Sequence, residues 1–334
     1  MALHTFVVLA YKESKYLETC IKSVLNQKYR SDVVIATSTP NDYINSLANK
    51  YNLEVIVNRS EKHGIGYDFD FARTCVKTDL VTIAHQDDVY EQNYSYDVIE
   101  EYKKNPDAVI LFTDYFELRN NKKVFKNTNL KIKKLLLTPM KLHNLTNKKL
   151  FKRSILSFGN SICCPAVTFC NKNIKLKEVF ASDLKCNVDW LAWERVTKEK
   201  GRFVFVNKPL MGHRIHEGST TTSIIEGNIR TKEDLFMFKK FAMFVLMIGM
   251  LFSFGLVQQT TVSADSAVTV SENTTENNTE TMSVPVVSSA PVATKQPVVT
   301  KTPARTKQVK KTIAKSKKTK KSKVKKKRAK YKKS

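Results

Sequence analysis

One pattern repeats through the first 113 residues: a short aliphatic or β-branched run, a turn, and then a helix with one apolar face. Thr5–Ala10, Asp32–Thr37, Glu54–Val57, Leu80–Ala84 and Ala108–Thr113 read as buried strands. Ser14–Gln27, Tyr43–Tyr51, Asp68–Val76 and Gln92–Asn105 read as the helices between them, the first with Leu17, Ile21, Val24 and Leu25 on one face. Nearly continuous apolar strands joined by helical crossovers specify a mostly parallel sheet covered on both faces, so the fold class is α/β with flanking helices. In such sheets ligands lie beyond the carboxyl ends of the strands, so the residues that follow each strand carry the interest.

After Ala84 the chain reads His85-Gln86-Asp87-Asp88. Adjacent carboxylates at a strand's carboxyl end suit a hard divalent cation, Mn²⁺ or Mg²⁺, that also takes phosphate oxygens. A solvated turn, with Asp88 capping the next helix, explains the same residues. Residue types alone leave both readings open.

Context decides between them. The opening "FVVLAYKESKYLETCIKSVLNQ" resembles the start of family 2 glycosyltransferases of the GT-A fold, and "HQDD" falls where that family carries its D-x-D motif. "NVDWLAWERV" resembles the family's acidic motif near the acceptor, and "HRIHEGSTT" resembles its closing basic and histidine motif. These four stretches occur in the family's order and span roughly residues 4–240. The resemblance implies a GT-A (Rossmann-like) fold, a nucleotide-sugar donor, a Mn²⁺ or Mg²⁺ ion and a glycan or lipid-linked acceptor. It implies a metal held by Asp87, with Asp88 beside it and His216 completing the shell. Ala10, Tyr11, Glu13, Thr37, Asp68, His85, Gln86 and Arg214 are the implied donor-binding residues, Arg214 through phosphate oxygens. Asp189 matches the base position for inverting transfer, among apolar neighbours that would raise its pKa.

Three departures stand out. His85 replaces the first acid of D-x-D. "IATSTPND" offers Thr37, Ser38 and Thr39 where the family usually has an Asp that reads the base. "GIGYDFDFA" stands in place of an Ala-Arg-Asn stretch, and its Asp68 and Asp70 either approach the donor or cap a helix. The first two fit an alternative, a catalytically decayed domain in a membrane-tethered, wall-binding protein. Trp190 and Trp193 are candidates to stack on sugar faces, although their spacing fits core packing for one of them. His213, Arg214 and His216 are expected in a short loop after "FVFVNKPLMG".

Beyond residue 114 the periodicity loosens into a hairpin at Asn120-Asn121 and a lysine-rich, more helical region up to Phe158. Six cysteines without CxxC spacing suit a reducing compartment, and Met1–Thr5 leads directly into a strand, which points to a cytoplasmic catalytic domain. The whole-chain charge of +26 is uneven: residues 265–334 carry a net +15 and the first 240 a net +11. Phe241–Val257 carries no charge, follows Lys239-Lys240 and precedes a "VSA" ending at Ala264, so it reads as a transmembrane or signal-like helix. The expected organisation is a catalytic domain over 1–240, this helix over 241–257, and a disordered Ser/Thr/Pro-rich, then lysine-rich tail over 258–334. The abrupt change in composition suggests a fusion to the start of an exported protein. The tail would lie on anionic wall polymer if outside the cell, or on anionic lipid if inside. Scarce arginine and a single aromatic residue, Tyr331, among the lysines argue against a nucleic-acid partner.

Overall fold

A computed structural model describes residues 2–216 and 229–241, all within the compact unit Met1–Val268. Except for Phe241 itself, the expected helix at 241–257 and the basic tail lie outside the described residues. Among the described residues, no helix is long and apolar enough to cross a membrane.

The elements alternate as the sequence implies. They run β1 (His4–Ala10), α1 (Leu17–Leu25), β2 (Asp32–Thr37), α2 (Asp42–Tyr51), β3 (Glu54–Val57), α3 (Ile65–Thr74), β4 (Leu80–His85), β5 (Val89–Tyr90), α4 (Tyr94–Lys104) and β6 (Ala108–Arg119). There follow β7 (Lys122–Val124), α5 (Thr128–Leu136), α6 (Lys149–Leu156), β8 (Val167–Cys170), α7 (Val188–Val196), β9 (Arg202–Ile215) and a helix over residues 229–241, here α8. The hairpin between β6 and β7 turns at Asn120 and Asn121, both at positive φ (50° and 61°), a region that asparagine tolerates well.

The nine strands form one sheet in the order β3-β2-β1-β4-β8-β6-β9-β5, with β7 on β6. The β3-β2-β1-β4 block is parallel, and so is β6 with β9. Between these blocks β8 runs antiparallel to both β4 and β6, so the sheet is mixed. Alternation along β1 divides the core: Phe6, Val8 and Ala10 join the cluster containing Leu17, Ile21 and Val98, while Val7 faces the other, with Ile83, Phe112 and Trp193. A strand with apolar residues on both faces is therefore fully covered.

Two expectations change. β6 continues to Arg119 and β9 follows it past a bulge at Pro209, pairing Glu117 with His213 and Leu118 with Arg214. His213 and Arg214 are thus strand residues, not loop residues, because the lengthened β6 gives them a pairing partner. Trp190 and Trp193 are both buried, Trp193 between Phe169 and Phe180 and Trp190 against Phe238 and Phe241, so neither offers a face to a sugar. α8 packs against the domain core, with Met237 and Phe241 fully buried.

Candidate active site

β4 is the central parallel strand, and at its carboxyl end the backbone turns at Gln86-Asp87. The Gln86 side chain clasps Tyr11 twice, accepting from its N–H (3.0 Å) and donating to its carbonyl (3.1 Å). Ser14 Oγ donates to Asp87 Oδ1 at 2.7 Å. The loop after β1 is thereby fastened to the loop after β4. Lys12 sits in this loop at φ 54°, and its N–H donates to Thr39 Oγ1 at 2.6 Å. Ala10 is buried in the β1–β2 ladder beside Thr37, whereas Tyr11 and Glu13 are exposed.

The two carboxylates of "HQDD" face different ways. Asp88 is buried, and its Oδ1 accepts from the Arg214 N–H at 2.8 Å and meets His213 Nδ1 at 3.3 Å. Burial opposes its ionisation, but the neighbouring His213, His85 and Arg214 amide hold its pKa below the usual carboxylate value. His213 likewise overcomes burial: Asp88 beside it raises its pKa. The Arg214 guanidinium donates from Nε to the Asp87 carbonyl (2.7 Å) and from Nη1 to Asn121 (2.7 Å), and it lies 4.4 Å over the Tyr16 ring. Asp88, His213 and Arg214 therefore weld the end of β9 to the β4 turn.

Asp87 is more open. Its Oδ2 meets His216 Nε2 at 3.2 Å, at the edge of the same turn. Just inside, His85 stacks on Phe69, with ring centroids 5.0 Å apart. Burial lowers the pKa of His85, so it is a neutral imidazole, and its Nε2 is buried without a hydrogen-bond partner. A buried polar atom without a partner costs stability unless a ligand supplies one.

Asp189 occupies the first turn of α7. Its Oδ2 accepts from Asn160 Nδ2 at 2.7 Å and its Oδ1 from the Trp190 N–H at 2.8 Å. Burial raises its pKa above the usual carboxylate value, against these hydrogen bonds and nearby Lys133. The turn before it is held by α8: Glu233 accepts from the N–H groups of Lys185, Cys186 and Asn187, each at 2.8 Å.

A cleft of about 540 Å³ joins these parts, lined by His85, Asp87, Asp88, Asp189, Arg214 and His216. The implied metal, base and histidine-motif residues thus meet in one place. Tyr11, Glu13, Thr37, Asp68 and Gln86 do not line it. They belong to a neighbouring corner where Asp68 accepts from Ser38 Oγ and Asn58 Nδ2, each at 2.9 Å. Asp70 points elsewhere and closes the Val179–Ala181 turn through three backbone N–H groups. Among the described residues no group of three or more His, Cys, Asp and Glu has metal-site geometry. The available pair, one carboxylate and one imidazole, still fits Mn²⁺ or Mg²⁺, which commonly takes few protein ligands and fills its shell from phosphate and water.

Sequence reading did not single out Ser14, Asn160 or the α8 residues Arg230, Asp234 and Phe238 on the cleft wall. Ser14 stood within the quoted "YKES", but nothing in the sequence tied Asn160 to Asp189.

A mixed α/β sheet with acids at the carboxyl edge of its central strand defines the class. Residues 5–167 match the family model described as Glycosyl transferase family 2. No curated protein sequence matches the chain. Among solved structures, it is similar to S. aureus TarS 1-349 in complex with UDP-GlcNAc, at 18% identity and a TM-score of 0.49, covering 66% of this chain and 60% of that one. A second structure, of S. aureus TarS, gives 17%, 0.47, 64% and 37% for the same quantities. The mannosyltransferase PcManGT from Pyrobaculum calidifontis, in complex with GDP-Man and Mn²⁺, gives 12%, 0.44, 66% and 59%. The chain therefore spans about 60% of the length of the first of these structures, and the ligands named are those proteins' own.

Proposed function

We propose that this chain transfers a sugar, with inversion, from a nucleoside-diphosphate sugar to a hydroxyl of a cell-surface glycan or lipid-linked acceptor. The observation that carries this reading is the shared cleft, with Asp87 and His216 at one place and the half-buried Asp189 at another. The family match and the nucleotide sugars bound by the similar structures support the donor class.

In this reading Asp87 and His216 hold the metal. When bound, the metal supplies positive charge against the departing diphosphate. Asp189 takes the acceptor hydroxyl proton as that oxygen bonds to the anomeric carbon and the bond to the diphosphate oxygen breaks. Its raised pKa makes it a better base than an exposed aspartate, and Asn160 holds the carboxylate in place through Oδ2. The partnerless Nε2 of His85 is a hydrogen-bonding group waiting for the donor's ribose or diphosphate. The corner of Thr37, Ser38 and Asp68 takes the base end. Here a carboxylate from α3 stands where the family usually brings one from the second strand.

The catalytic domain would work on the cytosolic side of a membrane, where nucleotide sugars are, with residues 241–257 as its anchor. The lysine-rich tail would meet anionic wall polymer or lipid. Thermal-shift screening of the full chain against nucleotide sugars, with and without Mn²⁺, tests the reading, because a ligand that binds the native state raises its apparent stability. A metal-dependent shift and turnover, both lost in Asp87→Ala, are expected. No shift and no turnover across the panel would overturn the enzyme reading in favour of a decayed domain.

A further inference from the structure

The surface formed by residues 120–158 departs from the rest of the domain. From residue 118 to 177 there is no acidic residue, while residues 120–158 hold 11 lysines and arginines, of which Lys152 and Arg153 are buried. The same stretch is rich in exposed large apolar side chains: Phe125 (53% exposed), Ile132 (52%), Leu135 (71%), Leu142 (57%), Leu150 (56%) and Phe158 (74%). α5 buries only Leu130, so Ile132 and Leu135, three apart and on one helix face, point out of the domain between exposed Lys131 and Lys134.

This surface adjoins the cleft. Ile132, Lys133, Leu136 and Phe158 line it on one side, and Phe238 and Arg230 of α8 line it on another. Phe236 and Phe238 of α8 are also largely exposed. The part of the cleft near Asp189 therefore opens among exposed apolar and cationic side chains.

We propose that the lysine-rich, apolar surface of residues 120–158, centred on α5, docks on an anionic lipid bilayer and sets the mouth of the cleft against it. Leucine, isoleucine and phenylalanine flanked by lysines are what an interfacial membrane segment presents, the apolar parts entering the headgroup boundary and the ammonium groups reaching anionic headgroups. A protein partner fits less well, since lysine is depleted in the cores of protein interfaces. A nucleic acid would leave the aliphatic side chains without a role. The docking stands on surface composition and does not depend on the transferase reading. Combined with that reading, it brings a lipid-linked acceptor hydroxyl to Asp189 without leaving the membrane surface.

The test uses the full chain carrying Leu135→Trp and, separately, Asn49→Trp on exposed α2 at the opposite end of the sheet. Vesicles of phosphatidylglycerol and brominated phosphatidylcholine report lipid contact at the labelled residue, and the two native tryptophans supply a buried, common background. Expected are a blue shift and loss of most added emission for Leu135→Trp, little change for Asn49→Trp, and a much weaker effect with phosphatidylcholine alone. Anchoring through another part of the chain would bring the protein to vesicles yet leave Leu135→Trp unquenched, which overturns the proposal. So would equal quenching at both positions. Shielding of Leu135→Trp from acrylamide before vesicles are added would overturn it too, because another segment or a second copy would then cover the face.

Discussion

Asp87 and His216 meet at 3.2 Å although 129 residues separate them in the chain. What brings them together is the strand before His216. β9 follows β6 to its end, and Arg214 then bonds both the Asp88 carboxylate and the Asp87 carbonyl. The open carboxylate and the open imidazole are neighbours because the buried pair one step behind them is locked.

Ser14 is the outer support of that site, since its hydroxyl holds the Asp87 oxygen that does not face His216. Such supports typically contribute about 10–100-fold in metal affinity. Ser14→Ala should weaken Mn²⁺ binding, measured in the presence of whichever nucleoside diphosphate the thermal-shift screen selects, by about that factor, read by calorimetric titration, while leaving the melting temperature nearly unchanged. Equal affinity in the two proteins would show that the Ser14 hydroxyl gives the metal site no support.

Asp189 has a raised pKa, caused by burial and opposed by the Asn160 hydrogen bond. A base must be ionised to act, so turnover should fall as pH drops through that raised value. Asn160→Ala removes a bond that favours the carboxylate, so the acid limb of the rate profile should move to higher pH. The variant should then be slow at neutral pH and recover partly in alkali. Asp189→Asn should lose about 10²–10⁴-fold in rate at every pH. An unshifted limb in Asn160→Ala would show that another group sets the profile.

Asp88 and His213 make a prediction about stability. The folded-state pKa of His213 lies above 6.5, so its stabilisation is complete below 6.5 and lost as pH rises through the raised value. That of Asp88 lies below 3.8, so its stabilisation is present above 3.8 and lost as pH falls through the lowered value. The pair should contribute most between these limits, on the order of 1 kcal/mol for the charged hydrogen bond. Melting curves of wild type and His213→Ala should therefore differ most near about pH 5 and converge in alkali. A constant difference across that range would mean that His213 contributes by packing alone.

The sequence made the β1–β4 half legible because each strand there is a short apolar run bounded by a periodic helix, and local pattern suffices for that. The position of the "HQDD" corner was legible for the same reason, as a turn directly after such a run, although its residue types left its role open. β8 was not, since nothing in Val167–Cys170 states that it will insert antiparallel between β4 and β6. The extension of β6 and β9 was also hidden, because each stabilises the other only once paired, and Pro209 reads locally as a break. Asn160 meets Asp189 through packing between α6 and α7, which no spacing records. In α8 the buried positions Glu233, Met237 and Phe241 fall one helical turn apart, and the last of them already belongs to the apolar run that reads locally as a new segment.

The most direct test of that last point is Phe241, the first residue of the apolar run. It is 1% exposed, its ring lies 5.9 Å from that of Trp190, and the Arg153 guanidinium sits 5.3 Å from its ring centre. Removing a buried phenylalanine costs about 3–5 kcal/mol, which in a domain of this size lowers the melting temperature by about 6–20 °C. Phe241→Ala should show that loss. Glu233→Ala should show a smaller one with a larger fall in turnover, because it frees the N–H groups of Lys185, Cys186 and Asn187 just before Asp189. A chain ending at residue 228 should combine both defects, whereas one ending a few residues past Phe241 should keep the stability of the whole. If the chain ending at 228 melts and turns over like the full protein, α8 is an appendage and the domain ends with β9.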